Sequence, residues 1–265
     1  ALEEIRRLNE DLEERVAERT AQLEAYAGRL AASNRELQDF AHVASHDLQE
    51  PLRKVLAFGE RLRTKYGEVL DERGLDYLHR MEAATVRMQG LIEDLLSLSR
   101  VTTRANPFEP VDLGEVAGEV LSDLETRVEE TGGRVEVGEL PTVEADRAQV
   151  RQLLQNLIGN GLKFHKEAEP PVVKVYGWLE DRDVGNAASE VCWLVVEDNG
   201  IGFDERYLGR IFAPFERLHG RGAYEGSGMG LAICRKVVER HGGEITAKSI
   251  PGEGSTFVVT LPTQH

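Results

Sequence analysis

The sequence predicts a multidomain α+β protein, in which a parallel coiled coil leads into a dimeric antiparallel four-helix bundle and an α/β sandwich follows. An apolar heptad repeat runs from Leu2 to Phe40, and a second amphipathic helix follows a short polar break. Beyond the bundle, helical and strand periodicities alternate. We expect the coiled coil over residues 1–38, the helical hairpin over 39–104, a linker over 105–111 and the sandwich over 112–265.

The heptad repeat supports the coiled coil. Its apolar positions follow alternating three- and four-residue steps: Leu2, Ile5, Leu12, Val16, Leu23, Tyr26, Leu30, Leu37 and Phe40. Only Asn9, Arg19 and Ser33 interrupt the register. A sustained 3.5-residue repeat predicts a left-handed coiled coil, and Asn9 at an a position favours parallel two-stranded pairing. A helix packed within one chain is the alternative.

The coiled-coil helix is expected to continue to Tyr66, with a kink at Pro51. After a polar break at Gly67 to Gly74, a second helix is predicted from its apolar residues: Leu75, Leu78, Met81, Met88, Leu91, Leu95 and Leu98. Two helices joined by a short loop form an antiparallel hairpin with one apolar face uncovered. Two such hairpins can close into a four-helix bundle, so we expect a homodimer.

Composition excludes several classes of protein. The net charge of −15 argues against a nucleic-acid partner. The longest apolar run, Val191 to Val196, is too short to span a bilayer, and the N-terminus does not resemble a signal peptide. Cys192 and Cys234 lie in apolar segments without metal-ligand spacing. We expect a cytoplasmic protein with no direct membrane insertion, and a chain that begins inside a coiled coil is expected to belong to something longer.

The linker is marked by Asn106, Pro107 and Pro110. Beyond it, helices are predicted over 113–130, 146–163 and from near Gly228 to residue 239. Strands are predicted over 134–137, 172–179, 191–197, 243–249 and 255–261. A polar hairpin is expected between the second and third strands, with four turn-forming residues: Asp181, Asp183, Gly185 and Asn186.

Polar residues of two kinds suggest a ligand site in the sandwich. Asn156 and Asn160 share one helix face, with Lys163 on the neighbouring turn. Carboxamide oxygens can coordinate Mg²⁺ and a lysine can neutralise phosphate, although such residues are common on helix surfaces. Asp198 ends a strand and precedes two glycines, Gly200 and Gly202. Its carboxylate could accept a hydrogen bond from an exocyclic amine.

The segment from Gly200 to Ser227 is rich in glycine and contains Phe212, Phe215 and Arg217, so it is expected to form a mobile lid. The turn that follows, Gly226 to Gly230, opens a helix whose backbone N–H groups can face a polyphosphate. This turn matches neither a Walker A loop nor a dinucleotide-binding fingerprint.

Taken together, these segments resemble the nucleotide-binding boxes of histidine kinases and other Bergerat-fold ATPases. The matching runs are NLIGNGLKF (156–164), DNGIGF (198–203), FAPF (212–215) and GSGMGL (226–231). Upstream, FAHVASHDLQEPLR (40–53) resembles the phosphoacceptor box of the phytochrome-like branch of these kinases. The resemblance covers nearly the whole chain and implies a sandwich of the Bergerat type.

The resemblance also implies the site residues and partners. It implies that Asn160 binds Mg²⁺, that Asp198 holds the adenine amino group, and that ATP is bound by one set of residues: Asn156, Asn160, Lys163, Asp198, Gly200, Gly202, Phe215, Arg217, Gly226, Gly228, Met229, Gly230 and Leu231. It implies autophosphorylation of His46, relay to the receiver domain of a response regulator, and an upstream sensor domain outside this chain.

His46 falls at a c position of the heptad register, outside the innermost seam, whereas His42 falls at f. A neutral imidazole is a nucleophile at Nε2 when Nδ1 keeps its proton, and the neighbouring Asp47 could hold that tautomer. Two rival functions stay open: another Bergerat-type ATPase or serine kinase, and a non-catalytic dimeric scaffold.

The sequence departs from the family pattern at two positions. Glu50 stands four residues after His46, where many members have Thr or Asn, which puts phosphatase activity in doubt. Gly161 replaces the usual Ala within the asparagine box, which lowers helix propensity but removes no ligand.

Overall fold

The structure is a computed structural model that describes residues 2–103, 106–184, 187–218, 224 and 226–264. For parts of the first helix and for the strand ends around residues 185–186, only the backbone is described. Gly185 and Asn186 of the expected hairpin therefore lie outside the described residues. The chain divides into two compact units, Ala1–Asp47 and Leu48–His265.

The N-terminal unit is helical throughout its described length. It belongs to α1, a single helix over Leu2–Tyr66 that continues through Pro51, as predicted. The heptad side chains that are described here are all well exposed in the single chain: Leu12, Val16, Leu23 and Tyr26. The other heptad side chains lie outside the described residues. An apolar stripe left in water is what one strand of a coiled coil shows before it pairs, so the coiled coil stays a prediction.

In the second unit, α2 (Glu72–Thr103) follows the end of α1 after a short turn. The Asp71 carboxylate accepts a hydrogen bond from Gly74 N–H at 2.8 Å, which satisfies one donor of the first turn of α2. Arg63 of α1 lies 3.6 Å from the Glu82 carboxylate of α2. The two helices therefore fold back on each other as a hairpin. None of the helices within the described ranges has an apolar stretch that could cross a bilayer.

The rest of the described chain, from residue 106 onward, forms an α/β body built on a five-stranded sheet. Its strands are β2 (Arg134–Val137), β4 (Val172–Val184), β5 (Ala187–Asp198), β6 (Glu244–Ile250) and β7 (Gly254–Pro262), and they pair in the order β2-β4-β5-β7-β6. Only the β2–β4 pair is parallel among these described strands. Alternate residues of the strands are buried under three helices: α3 (Leu113–Thr131), α4 (Arg147–Lys163) and α6 (Gly230–Arg240). The predicted α/β sandwich is confirmed.

Two aspartates fix where α3 and α4 begin. The Asp112 carboxylate accepts hydrogen bonds from Gly114 N–H and Glu115 N–H, and the Asp146 carboxylate accepts bonds from Ala148 N–H and Gln149 N–H. These N-caps satisfy backbone donors that would otherwise lack partners. Each aspartate thus begins its helix immediately after a short strand.

Those preceding strands were not predicted. β1 (Glu109–Asp112) and β3 (Thr142–Ala145) pair antiparallel in a small second sheet. β1 occupies the last part of the segment that was predicted to be a linker. The prediction missed this strand because Pro110 indicates a chain break. Proline is tolerated on an edge strand, where no partner needs its missing N–H. The central strands β4 and β5 also extend several residues further toward their hairpin than expected.

The segment after α2 is bound to the α/β body rather than free. Asn106 N–H donates to the Asp146 carboxylate at 2.8 Å, and Arg240 donates to the Asn106 carbonyl at 2.8 Å. The Phe108 ring stacks on His241 with centroids 4.7 Å apart. The expected linker therefore packs on the body for most of its described length.

Gly161 of α4 packs directly against β4, which generates a stability prediction. An added Cβ would lie 2.7 Å from Val173 Cγ2, whereas an added Cβ at Gly159 would find only Arg127 Nη1, at 3.9 Å. We expect Gly161→Ala to lower the free energy of unfolding by about 1 kcal/mol, because overpacking outweighs the gain in helix propensity. Urea denaturation without ligand measures it.

Gly159→Ala is the matched control and should raise the free energy of unfolding by about 1 kcal/mol, since its new methyl group meets no clash. In a Val173→Ala background, Gly161→Ala should also become stabilising. A Gly161→Ala effect that is the same with and without Val173 would show that the contact with Val173 is not the cause.

Candidate functional site

A cleft of about 520 Å³ opens in the second unit, beside α4. Its walls come from α3, α4, the ends of β5 and β7, the segment after β5, the first turn of α6 and one residue of α2. Most of the predicted ligand-binding residues line it: Asn156, Asn160, Lys163, Asp198, Gly202, Arg217, Gly226, Gly228, Gly230 and Leu231. The structure therefore gathers residues that are more than 70 positions apart in sequence.

Asp198, the last residue of β5, forms one end of the cleft. Its Oδ1 accepts hydrogen bonds from Gly200 N–H at 2.9 Å and from Ser255 N–H at 3.2 Å. Burial raises the pKa of this carboxyl to about 6, and the two backbone bonds oppose that rise. A carboxylate held this way can accept one further hydrogen bond from a ligand amine.

Two glycines allow the backbone to approach closely at the walls of the cleft. Gly202 has a φ of 61°, and a Cβ there would lie 2.1 Å from the Ile250 carbonyl oxygen. Gly228 has a φ of 79°, and a Cβ there would lie 2.7 Å from the Glu216 carbonyl oxygen. A side chain at either position would both strain the backbone and collide. The glycines predicted from the sequence are therefore required by the local geometry.

The other end of the cleft is formed by Asn156 and the first turn of α6. Asn156 Nδ2 is buried with no well-formed hydrogen bond to a described residue, and it lies toward the buried Cys234 thiol. A Cβ on Gly230 would lie 3.4 Å from Asn156 Oδ1, so the amide sits directly beside the start of α6. Helix N-termini present N–H donors and positive potential. This end is suited to an anionic ligand group.

Lys163 and Asn160 also line the cleft, on the α4 wall that carries Asn156. The Lys163 ammonium lies 4.2 Å from the Phe164 ring centroid, and a Cβ on Gly226 would come within 2.7 Å of Lys163 Nζ. The glycine-rich turn therefore passes directly over this lysine. Carboxamide oxygens of Asn156 and Asn160 are ligands that Mg²⁺ accepts together with phosphate and water. Within the described ranges no cluster of three His, Cys, Asp or Glu side chains offers a metal site.

The expected lid is partly folded onto the body. It includes a 3-10 turn at Glu205–Tyr207 and a short helix α5 (Leu208–Ile211), and Phe212 is buried against the core. Further along, Arg217 Nη2 donates to the Tyr224 carbonyl at 2.6 Å. Residues 219–223 and 225 of the expected lid lie outside the described residues. The apolar side chains near Phe212 explain why the first part packs rather than staying loose.

Three predicted ligand residues do not line the cleft. Gly200 lies behind Asp198, where a Cβ would meet the Phe164 carbonyl oxygen at 2.3 Å. Met229 is fully buried in the core, and Phe215 is 53% exposed with a φ of 64°. In this structure Gly200 and Met229 support the walls of the cleft from behind.

Some cleft residues had no signal in the sequence. Ser255 reaches Asp198 because the two residues are direct partners in the β5–β7 register. Arg127 comes from α3 and Asp94 from α2, both far from α4 in sequence. Strand register and helix packing create these neighbours, and a single sequence does not reveal either.

His46 and Asp47 belong to the first unit and the cleft to the second. Both residues lie within α1, and Asp47 is exposed. The His46 side chain lies outside the described residues.

Two family descriptions match the chain. Residues 36–104 match the His Kinase A (phospho-acceptor) domain, and residues 145–265 match the histidine kinase-, DNA gyrase B- and HSP90-like ATPase domain. The first match contains His46 and the second contains every predicted nucleotide-binding residue.

The phytochrome-like protein Cph1 of Synechocystis sp. is 44% identical over 94% of this chain and 32% of its own length. The methanogenesis regulatory histidine kinase FilI of Methanothrix harundinacea is 34% identical over 91% of this chain and 26% of its own length. The chain spans about a third or less of the curated relatives it matches first.

Among solved structures, full-length ShkA in complex with AMPPNP superposes with a TM-score of 0.63 at 25% identity, over 84% of this chain and 45% of that one. A phosphoacceptor domain thus precedes an ATPase domain here, with histidine kinases as relatives in both sequence and structure. The chain belongs to the protein histidine kinases.

Proposed function

We propose that this chain is the catalytic core of a dimeric sensor kinase that transfers the γ-phosphoryl group of ATP to His46 and then to an aspartate of a response regulator. One observation carries the proposal. The cleft has a half-buried carboxylate acceptor at Asp198 and, at its other end, the Asn156 amide beside a helix N-terminus. One end suits an adenine amine and the other a polyphosphate.

At the adenine end, Asp198 accepts the hydrogen bond of the exocyclic amino group. The two backbone donors on Oδ1 hold the carboxylate in place. Because the carboxylate is desolvated, its bond to a ligand is stronger than it would be in water, and a base without an amine there would leave it unpaired. We therefore expect the site to prefer adenine over guanine.

At the phosphate end, Lys163, Arg217 and the first N–H groups of α6 neutralise charge on the phosphates. The amide oxygens of Asn160 and Asn156 would hold Mg²⁺, with phosphate and water completing the shell. Bound Mg²⁺ would supply neutralisation of the phosphate charge. The chain's own contribution is to position the polyphosphate and to exclude water.

At the acceptor, Nε2 of a neutral His46 attacks the γ-phosphorus. A nitrogen–phosphorus bond forms, the bond to the β–γ bridging oxygen breaks, and ADP leaves. Asp47, the next residue of α1, holds the proton on Nδ1 and stabilises the imidazolium charge that develops. Because His46 and the cleft belong to different units, transfer requires the two units to meet.

A homodimer follows from the apolar residues that the single chain leaves exposed between Leu48 and Thr103. Twelve large hydrophobic residues there are at least 37% exposed: Leu48, Val55, Phe58, Leu62, Tyr66, Val69, Leu75, Tyr77, Met81, Val86, Met88 and Leu95. Surface of this kind on a helical hairpin is buried when two hairpins form a bundle. The exposed heptad stripe of α1 supports the same assembly.

We expect the parent chain to incorporate label from γ-labelled ATP and His46→Gln to incorporate none, because glutamine has no nucleophilic nitrogen. His42→Gln is the matched control: it lies one turn earlier on α1 and should retain labelling. The measurement is radioactivity on the denatured chain after incubation with ATP and Mg²⁺.

Acid treatment of the labelled chain separates this function from that of a serine kinase, since phosphohistidine hydrolyses in acid and phosphoserine survives. An unlabelled parent chain would contradict the kinase proposal and favour a scaffold.

Adenosine binding should weaken as the pH falls through about 6, the raised pKa of Asp198. The ionised Asp198 carboxylate accepts the hydrogen bond of the adenine amino group, and protonation removes this acceptor. The affinity for adenosine should therefore drop roughly tenfold between pH 7.5 and pH 5. Adenosine carries no phosphate, so its own charge does not change over this range. Isothermal titration calorimetry at several pH values measures it.

Asp198→Asn is the control, because the amide keeps an acceptor at Oδ1 and cannot ionise. It should bind adenosine weakly with a flat pH profile. The raised carboxyl pKa stabilises the folded chain below the unfolded pKa, and that contribution is lost as the pH rises through about 6. Asp198→Asn should therefore stabilise the unliganded chain at pH 7.5, by an amount on the order of 1 kcal/mol. A steeper pH profile in the variant would contradict the assignment.

Phosphatase activity should be absent, because Glu50 carries a carboxylate where a neutral side chain would orient the attacking water. Its Oε1 lies 2.7 Å from Lys54 Nζ, one turn along α1. We expect a phosphorylated receiver domain to decay at the same rate with and without this chain. Faster decay with the parent chain, lost in Glu50→Ala, would contradict the prediction.

A further inference from the structure

Asp94 of α2 lines the nucleotide cleft, although α2 belongs to the phosphoacceptor half of the sequence. The side chain is partly buried, whereas its neighbour Glu93 is exposed. No family motif in the sequence includes Asp94. Its position results from the packing of α2 on the α/β body.

Two hydrogen bonds define that packing. Ser97 of α2 pairs with Gln152 of α4, and Gln149 Nε2 donates to the Val101 carbonyl at 2.8 Å. Residue numbers rise along α2 while they fall along α4, so the two helices run antiparallel at this contact. One turn before Ser97, Asp94 therefore comes next to the turn of α4 that carries Asn156.

One row of polar residues along α4, the polar stripe, contacts α2 at its start and lines the cleft further along. Gln149, Gln152, Asn156, Asn160 and Lys163 follow one another at three- and four-residue steps, and thus share one face. The first two contact α2 and the last three line the cleft. Asp94 lies where the two parts of the stripe meet, at the phosphate end of the cleft.

The contact of α2 with the α/β body combines apolar packing with hydrogen bonds. Val101 is buried in the core, Leu98 packs against it, and α2 also contacts α6, while Gln149 and Gln152 add two hydrogen bonds from α4. A ligand that binds more tightly when α2 is undocked shifts the equilibrium toward the undocked arrangement.

We propose that Asp94 is a specificity-determining residue that discriminates against the γ-phosphate of ATP while α2 is docked. The proposal rests on the proposed ATP site. A nucleoside triphosphate carries more negative charge toward this end than a diphosphate, and the Asp94 carboxylate repels that extra charge. The docked arrangement therefore favours ADP, and binding of ATP favours release of α2.

The test compares affinities for ATP, ADP and adenosine, each with Mg²⁺, in the parent chain, Asp94→Asn and Glu93→Gln. Asp94→Asn should bind ATP about fivefold more tightly, ADP less than twofold more tightly and adenosine with unchanged affinity. Glu93→Gln removes the same charge from the exposed neighbouring position and should change none of the three. Unchanged adenosine affinity also shows that the variant is folded.

Two results would overturn the proposal. If Asp94→Asn weakens ATP binding and raises the Mg²⁺ concentration required, Asp94 is a ligand of the metal rather than a repelling charge. If all three affinities stay unchanged, Asp94 has no part in nucleotide discrimination. A parent chain that binds neither ATP nor adenosine would instead refute the proposed function itself.

A second variant tests the coupling to α2. Gln152→Ala removes one α2 contact without changing the cleft wall, so it should tighten ATP binding and reduce the effect of an added Asp94→Asn. Hydrogen exchange of the α2 backbone near Ser97 should increase on adding ATP and not on adding adenosine. Equal exchange with the two ligands, or fully additive effects of the two substitutions, would contradict the coupling.

Discussion

The close approach of α4 to the end of β5 is the constraint on which the site depends. Gly161 lets the helix lie against Val173 and the Asp198 side chain, and Ser255 of β7 faces Asp198 from the other side. The carboxylate is thereby desolvated and held by two backbone donors. This arrangement costs stability in the unliganded chain, because burial disfavours the charge that binding requires. The proposed binding of an adenine amino group by Asp198 would offset this cost.

The N-cap of the same helix connects the site to the rest of the chain. The Asp146 carboxylate caps α4, accepts from Asn106 N–H and pairs with Arg240 at 3.1 Å. The segment that follows α2 is therefore anchored at the start of the helix whose other end carries Lys163. A shift of α4 relative to this anchor would alter the cleft and the α2 contact together, since the helix moves as one element.

Much of the site could be predicted from the sequence because its chemistry is local. Asn156, Asn160 and Lys163 share a helix face through spacing alone, and Gly202 and Gly228 mark backbone that a side chain would block. Other features depend on tertiary structure. Ser255 joins Asp198 only through strand register, and the edge strand β1 was hidden by Pro110, which ordinarily signals a break. The burial of Met229 shows that a residue within a binding motif can serve the core instead.

The polar stripe of α4 explains how nucleotide charge and helix docking can influence each other without a long pathway. Gln152 bonds to α2, and Asn156, one turn further, lines the cleft. Neighbouring turns of one helix are only about 5 Å apart, so a charge placed beside Asn156 acts directly on whatever α2 presents there. A carboxylate at position 94 makes that interaction repulsive. With a neutral side chain there, the docking of α2 would not depend on the charge of the nucleotide. The sign of the coupling between nucleotide and helix is therefore set by one residue outside the nucleotide-binding motifs.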